Sequence, residues 1–578
     1  MTGITISSTL RSILVKEMLM TPSINELAAN YLNKLVKLDP ILATELGTPD
    51  DPAALPDFSP EGQHARAELH RSTLATANVT EASEAEQIGK ELMIERLTTQ
   101  LSLYEAEEWL SEINVIDSPQ HQIKQAIDLM PRETDEDWES VTARLTRVRG
   151  ALEGYQQTLQ LGLARGRIAP QRQALQAARL ARQTATPGGP SYFDELLTSR
   201  RRQRPESVAR LEAACHEAAT AYLDFANFLE LEYLPKTPEV DGVGSDRWRL
   251  YCQLFNGATF DPRESYLWGF DELAHIRREM ESEADKILPG AGLAATITHL
   301  DTDPSRVIHG ADAFRLWNQQ ILQETVAALN GTHFDIPDAI MRIEAMLAPP
   351  GGAAAMYYTP PSADLSRPGR TWYPTQGRTE FPLWHELSTV FHEGVPGHHL
   401  QIGYTTWLGD RLNAFQRTLG GNSGHIEGWA LYAEALMDEL GFFEESAYRL
   451  GMLASQAFRA ARVVIDIGLH NGLAVPRDLL PEAPERWTRE SSIPFLQAMA
   501  GLDRDFATSE VDRYLGWPAQ ATSYKLGQRA WLDIRDRLRR QEGPSFDLKR
   551  FHHRALELGF VGLDQLARVL VGSPTPPR

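Results

Sequence analysis

Residues 382–403 read PLWHELSTVFHEGVPGHHLQIG and carry the most informative side chains of the chain. Helical patterning begins at Phe381 and leads directly into His392-Glu393. In metallopeptidase helices the usual pattern is His-Glu-x-x-His, in which two histidines one turn apart bind the metal and the glutamate deprotonates a water molecule. Here Glu393 is followed by Gly-Val-Pro-Gly and then by His398-His399, so the spacing departs from that pattern.

Pro396 decides how this departure is interpreted. In a regular helix His398 lies about 120° from His392, and His399 returns to the same side two turns on. Pro396 cannot donate a hydrogen bond to the carbonyl group of His392, and its ring clashes there. We therefore predict a widened helical turn that absorbs the extra residues. This favours His398 as the second metal ligand, with His399 supporting the ligands or contacting substrate, and the opposite assignment stays open.

A zinc site needs a third protein ligand, commonly His or Glu, and keeps one position for water. EGWALYAEALMDEL at residues 427–440 has a helical pattern, and an antiparallel helix would present Glu427 to His392. Glu434 lies two turns further on the same face, where it would orient a ligand histidine or be an ordinary acid. We predict one zinc ion held by His392, His398 and Glu427, although such donors also bind manganese or cobalt. The alternative is a satisfied polar network without metal.

The rest of the chain is dominated by helical periodicity. Apolar stripes at residues 137–163, 206–231 and 263–287 predict long helices, so the fold class is mostly α. Residues 348–377 are rich in Pro and Gly, and within them 355–359 and 370–373 predict short strands, a small hairpin or sheet near the metal-site helix. We expect a flexible N-terminus at 1–22 and one helical body at 23–578. Its N-terminal part is 23–345, and its metal-site part is 346–578.

Composition excludes several classes of partner. The 578 residues have a formal net charge of -21, which repels phosphate backbones and argues against nucleic acid. The only two cysteines, Cys215 and Cys252, form no disulfide framework and no CxxC metal pair. The pattern at residues 1–28 leads us to expect no signal peptide, and no run approaches the about 20 apolar residues of a membrane-spanning helix. We therefore expect a cytoplasmic protein without a membrane partner, and the sequence leaves its oligomeric state open.

The segment at residues 392–401 and several others resemble the bacterial domain-of-unknown-function 885 proteins, whose mark is an HExxPGHH motif. That motif is here His392–His399, followed by Leu400-Gln401, and the resemblance spans nearly the whole chain. Further resembling segments lie at residues 38–47, 427–434, 459–470 and 517–527.

The resemblance implies a mostly helical fold similar to zinc carboxypeptidases and oligopeptidases of the glutamate-zincin type. It supports Glu427 as third ligand and Glu393 as general base, and it implies no particular substrate. One departure is Ala519 in Trp517-Pro518-Ala519-Gln520, where we expect Gly and a consequence limited to local backbone freedom.

Accessory residues are predicted around this centre. Tyr524, in one of the resembling segments, is the candidate donor to the oxyanion formed during peptide hydrolysis, and a packed tyrosine with its hydroxyl satisfied is the alternative. His425 would serve the same purpose. Tyr358 lies in a predicted strand whose edge would pair with an extended peptide, or which would be a structural hairpin.

Arg459, Arg462, Asp466 and His470 form a polar stripe on one helix face. An i,i+4 ion pair between Arg462 and Asp466 is one interpretation. The other is that an arginine of this stripe binds a substrate carboxylate, which would make the enzyme an exopeptidase or a dipeptidase.

The sequence thus predicts a zinc-dependent peptidase of the carboxypeptidase, dipeptidase or oligopeptidase type, with Glu393 as general base. One alternative is a zinc amidohydrolase that acts on a non-peptide amide, since the same centre would serve both reactions. The other is a non-catalytic metal-binding protein, which the presence of Glu393 and all candidate ligands disfavours.

Overall fold

The computed structural model describes residues 22–186, 191–204, 208–349, 355–477 and 484–572. Of the predicted flexible N-terminus, residues 1–21 lie outside this part of the chain. The prediction of a mostly α-helical fold with a small sheet is confirmed, since the described residues form 24 α-helices and five short strands.

In chain order the helices are α1 Ile24–Leu38, α2 Pro40–Glu45, α3 Pro60–Val79, α4 Gln87–Glu105, α5 Pro119–Asp128, α6 Asp135–Leu145, α7 Val148–Arg165, α8 Gln171–Ala185, α9 Tyr192–Gln203, α10 Ala209–Phe228, α11 Ser245–Asn256, α12 Pro262–Ile287, α13 Leu293–Thr302, α14 Ala311–Leu329, α15 Glu386–Glu393, α16 His398–Leu408, α17 Ala414–Thr418, α18 Ser423–Glu439, α19 Ser446–Asn471, α20 Arg489–Ala500, α21 Arg504–Gly516, α22 Ser523–Glu542, α23 Leu548–Leu556 and α24 Leu563–Val571.

The three predicted long helices have different outcomes. The stripe at 263–287 is confirmed as α12, and the side chain of Asp261 caps its first turn. The stripe at 206–231 corresponds to α10, and residues 206–207 lie outside the described part of the chain. The stripe at 137–163 is divided between α6 and α7. The division occurs because the amide of Arg147 bonds to the carbonyl of Arg144, a tight i→i−3 turn that ends α6.

Both predicted strands are confirmed, and they belong to a small mixed sheet. The strands are β1 Val307–His309, β2 Ile343–Leu347, β3 Tyr357–Thr359, β4 Gly369–Tyr373 and β5 Glu380–Pro382. β4 is central, parallel to β2 and antiparallel to β3, with Tyr358 opposite Thr371. β1 and β5 form a separate antiparallel pair that leads the chain towards α15.

Two large hydrophobic clusters are buried in the described residues. The cluster around Tyr155 and Tyr222 belongs to the N-terminal helices. The cluster around Trp248, Trp429 and Trp531 joins α11 and α12 to the C-terminal helices, and within it α12 packs along α19 and α18 along α22. The division of the body at residue 346 stays a prediction. No helix in the described ranges is long and apolar enough to span a membrane.

Candidate metal centre

The metal-site helix is interrupted rather than widened. α15 ends at Glu393 and α16 begins at His398, and the turn between them contains a cis peptide bond before Pro396. A Cβ atom on Gly397 would lie 1.9 Å from the carbonyl oxygen of His392, so only glycine allows this approach. The prediction of one helix with a widened turn is therefore wrong, because consecutive helices carry the two histidines.

α18 holds this turn in place. Nε1 of Trp429 donates to the carbonyl oxygen of Pro396 at 2.8 Å and lies 3.2 Å from that of Gly397. The Trp429 side chain is fully buried in the core between the helices. Since Glu427 precedes Trp429 by two residues, the helix that fixes the turn also presents a carboxylate to the histidines on either side of it.

Donor atoms of the three predicted ligands converge. Oε2 of Glu427 lies 3.3 Å from Nε2 of His392 and 3.6 Å from Nε2 of His398. This oxygen is buried and accepts no hydrogen bond from any described residue. Ligand atoms about 2.0–2.1 Å from a tetrahedral zinc lie about 3.3–3.4 Å from one another. The separations and the unsatisfied carboxylate oxygen therefore fit a divalent metal ion held by these residues.

The imidazole of His392 is oriented from behind by Glu434. Nδ1 of His392 donates to Oε1 of Glu434 at 2.7 Å, and the other oxygen of Glu434 accepts from Ser388 at 2.8 Å and from Gln456 at 3.2 Å. Burial lowers the pKa of His392, but the nearby carboxylates of Glu427 and Glu434 outweigh it and raise the pKa to about 10. A carboxylate on Nδ1 leaves Nε2 facing the site, the usual support for a ligand histidine.

Glu393 lies beside the ligands in a position suited to a base. Its carboxylate oxygen is within 4.8 Å of the nitrogens of His392 and His398, without the ion-pair contacts that Glu427 makes. Oε2 of Glu393 is buried and has no hydrogen-bond partner in the described part of the chain. Burial raises the pKa of Glu393, while the charges of His398 and His392 oppose the rise. This distance leaves room for a water molecule between base and ligands.

His399 faces away from the three donors. Its Nε2 lies 2.7 Å from the carbonyl oxygen of Ile340, and its Nδ1 lies 3.0 Å from the hydroxyl of Tyr358. Both ring nitrogens are thus occupied, and burial lowers the pKa of His399 to about 4. The geometry assigns His398 to the donor set, and it makes His399 and Tyr358 the link between α16 and β3.

Tyr524 lies in the first turn of α22, which crosses α18, the helix that carries Glu427. A Cβ atom on Gly428 would lie 2.5 Å from the backbone of Gly527, so these helices approach backbone to backbone. The crossing brings Tyr524 close enough to Glu427 for that charge, together with burial, to raise the pKa of the phenol. The hydroxyl of Tyr524 therefore stays protonated at neutral pH and can donate a hydrogen bond.

The predicted Arg462–Asp466 ion pair is wrong. Arg462 instead donates to Glu510 at 2.8 Å and to the hydroxyl of Tyr514 at 3.1 Å. Asp466 accepts from Nε1 of Trp248 at 2.8 Å and from the backbone amide of Ala519. Arg462 and Asp466 each lie closer to these partners than to each other. Tertiary contacts therefore override the i,i+4 spacing.

Arg462 still borders the site, because its guanidinium lies 4.8 Å from the ring centre of Tyr524. His425 does not join the metal centre. It precedes Glu427 by two residues, about 200° around α18, and packs against Trp531 at a ring distance of 5.4 Å. Burial lowers the pKa of His425 to about 3.

With this geometry established, the comparisons with known proteins identify the family. The family described as "Bacterial protein of unknown function (DUF885)" matches this chain over residues 40–570, most of its length. The chain belongs to the DUF885 family. No curated protein matches it significantly.

Two solved structures share the fold of this DUF885 chain. One, from Colwellia psychrerythraea, is described as a "putative lipoprotein"; it is 21% identical with a TM-score of 0.81, and the match covers 95% of this chain and 98% of that one. The other, from Shewanella oneidensis, is described as a "putative lipoprotein of unknown function"; it is 18% identical with a TM-score of 0.73, and the match covers 95% and 100%. At these identities the likeness shows the fold alone, and the cytoplasmic location stays a prediction.

Sequence reasoning missed the polar chain behind His392. Gln456 joins Glu434 to Lys525, whose ammonium group donates to Oε1 of Gln456 at 2.7 Å and pairs with Glu272 at 2.9 Å. Ser388, one turn before His392, was detectable by its i−4 position on the same helix face. No local pattern marks Gln456 or Glu272, because their role depends on how α12, α19 and α22 pack.

Proposed function

We propose that this protein is a zinc-dependent peptidase of the glutamate-zincin type. The observation that carries the proposal is the buried Oε2 of Glu427, which faces Nε2 of His392 and of His398 at 3.3 and 3.6 Å and accepts no hydrogen bond from a described residue. A buried carboxylate oxygen without a partner is costly in a structural network, and a bound cation removes that cost.

His392, His398 and Glu427 would hold the ion, with Glu434 fixing the ring of His392. When bound, zinc supplies Lewis acidity that lowers the pKa of water and polarises a carbonyl group. Two histidines and one glutamate are a donor set typical of hydrolytic zinc sites, which keep one position open.

The remaining steps fall to two side chains. Glu393 accepts a proton from the attacking water at its free Oε2, and it then passes that proton to the nitrogen of the leaving amine. The raised pKa of Glu393 favours this double role, because the base must also release its proton as an acid. Tyr524 donates its hydroxyl hydrogen to the oxyanion that forms at the attacked carbonyl.

The sheet supports a peptide as substrate over other amides. The outer edge of β2 is closed by Gln319, whose amide bonds to the backbone of Ile343 at 3.0 Å and of Ala345 at 2.8 Å. At the opposite edge, the outward backbone groups of β3 have no partner among the described residues. Because Tyr358 ties β3 to the metal-site helix through His399, an extended peptide paired with β3 would pass the candidate centre.

Metal content tests the proposal first. Elemental mass spectrometry of the wild type should find about one zinc per chain, because the three donors form one site. Glu427→Ala should lose the zinc, whereas Glu444→Ala, an exposed glutamate just beyond α18, should keep it. A folded wild type that holds no metal after zinc is offered and excess removed would refute the proposal.

Substrate panels then separate the alternatives. Peptide libraries test the peptidase, and acylated small molecules test an amidohydrolase that uses the same centre. A Glu393→Gln protein with unchanged turnover in every assay would favour a non-catalytic metal-binding role. The proposal includes a cytoplasmic location, which cell fractionation checks against membrane attachment.

A further inference from the structure

One face of α19 is directed at the candidate centre, and Arg459 lies in the middle of it. Gln456, three residues before Arg459, bonds to Glu434 at 3.2 Å, and Arg462, three residues after it, lies 4.8 Å from the ring centre of Tyr524. Residues three apart lie about 60° from each other around a helix, so Arg459 stands between two side chains that both contact centre residues.

The guanidinium of Arg459 is poorly satisfied. Its Nη1 donates to the hydroxyl of Ser455 at 2.5 Å and to the carbonyl of Ser455 at 3.3 Å, one turn back on the same helix. Its Nε is buried without a hydrogen-bond partner, and its polar contacts among the described residues are those to Ser455, none of them to a carboxylate. The edge formed by Nε and Nη2 is therefore free within the described part of the chain.

The same edge binds a carboxylate elsewhere in this protein, at Arg247. Nε and Nη2 of Arg247 each donate to one oxygen of Glu108 at 2.7 Å, a parallel pair of bonds. Such pairs are strong and directional because the planar guanidinium matches the carboxylate. Arg459 presents the same edge, and its charge opposes the rise in the pKa values of Glu393 and Tyr524, so its field reaches the catalytic groups.

We propose that Arg459 binds the C-terminal carboxylate of a peptide substrate, so that the enzyme releases residues from the C-terminal end. The inference rests on the proposed function and specifies its substrate class. In the reaction the peptide C–N bond breaks, the water oxygen bonds to the acyl carbon, and the proton passes through Glu393 to the departing amine, which carries the carboxylate held by Arg459.

Binding to a hydrolysis-deficient protein tests this directly. Glu393→Gln protein with its metal is equilibrated by dialysis against a randomised N-acetylated tripeptide library, made once with free C-terminal carboxylates and once as C-terminal amides. Mass spectrometry measures the peptides retained. We expect the acids to be retained at least about 10-fold better than the amides, the scale of one charged hydrogen-bonded pair.

In the Glu393→Gln protein, the added change Arg459→Met should abolish the preference for acids over amides. Arg459→Lys should keep part of that preference, since the charge remains without the planar edge. Arg278→Met, at an exposed arginine of α12, should leave the preference intact. Equal retention of both libraries, no retention of either, or a preference that survives Arg459→Met in folded protein would overturn the inference. Hydrolysis by the wild type is scored separately, so an inactive protein that prefers acids would contradict the peptidase proposal alone.

Discussion

Two buried polar clusters lie side by side around Tyr524, and they differ in how completely they are satisfied. The candidate metal centre consists of His392, Glu393, His398 and Glu427. The arginine network consists of Arg462, Glu510, Arg513 and Tyr514. In the arginine network Oε2 of Glu510 accepts from Arg462 at 2.8 Å, from Arg513 at 2.9 Å and from Tyr514 at 2.7 Å.

All four residues of the arginine network lie in the described ranges, and every buried polar atom of their side chains has a hydrogen-bond partner. In contrast, Glu393, His398 and Glu427 each have one buried polar atom without a partner. Burial opposes ionisation of Glu510, but Arg462 and Arg513 hold its pKa at about 2. A complete network has no capacity left for a ligand, and an incomplete one has. Burial and charge density alone would not separate the two clusters; their unsatisfied atoms do.

The largest effect is expected on turnover. Glu393→Gln keeps the size and burial of the side chain but cannot accept the proton of water. We expect kcat to fall about 10²–10⁴-fold, the usual contribution of a general base, with zinc content unchanged. Steady-state kinetics and metal analysis on the same sample check this. A fall in zinc equal to the fall in kcat would instead make Glu393 a ligand and weaken the comparison.

In the arginine network the expected effect is on stability. Arg462→Met leaves the charge of Glu510 buried with one partner fewer, which should lower the free energy of unfolding by about 3–5 kcal/mol. Urea unfolding of the metal-depleted proteins measures it, so that lost zinc does not contribute. Pairing the change with Glu510→Leu should restore part of the loss. Full zinc content with unchanged stability would contradict the structural role given to this network.

A smaller effect is expected at the boundary of the metal centre. Glu434→Gln removes the charge that orients His392 while keeping an acceptor oxygen, so zinc affinity should fall about 10–100-fold. Competition with a chelator of known affinity measures this. Glu439→Gln, at the exposed end of α18, is the matched control; it weakens the pair with Arg535 but should leave zinc affinity unchanged. Equal affinities would mean that the ring of His392 is oriented by packing alone.

The smallest effect concerns Ala519, which joins the resembling segment at 517–527 to Asp466. Its φ of +64° lies in the left-handed region, and its amide donates to Asp466 at 3.2 Å. The position at which we expected Gly therefore has a backbone conformation that favours glycine, although alanine adopts it here. Ala519→Gly should stabilise the protein by up to about 1 kcal/mol, because relieved strain exceeds the added entropy of the unfolded chain. Thermal unfolding compares the two, and a destabilised variant would show that the contacts of the methyl group outweigh the strain.

Local sequence was enough to predict the helical fold class, α12, the strands β3 and β4 and the break at 348–377. These features follow from periodicity, capping and Pro-Gly content, which act over one or two turns of chain. It also predicted that His392 and Glu427, 35 positions apart, would face each other, because a zinc site needs a third ligand and the pattern at 427–440 puts Glu427 near the start of a helix.

Tertiary structure decided the rest. His398 rather than His399 turns to Glu427 because Trp429 fixes the interrupted turn and Ile340 and Tyr358 engage His399. Arg462 pairs with Glu510 rather than with Asp466, and His425 faces the core, for the same reason. A buried polar group bonds to the partner that packing brings within about 3 Å. That partner comes from another helix, and no spacing along one helix specifies it.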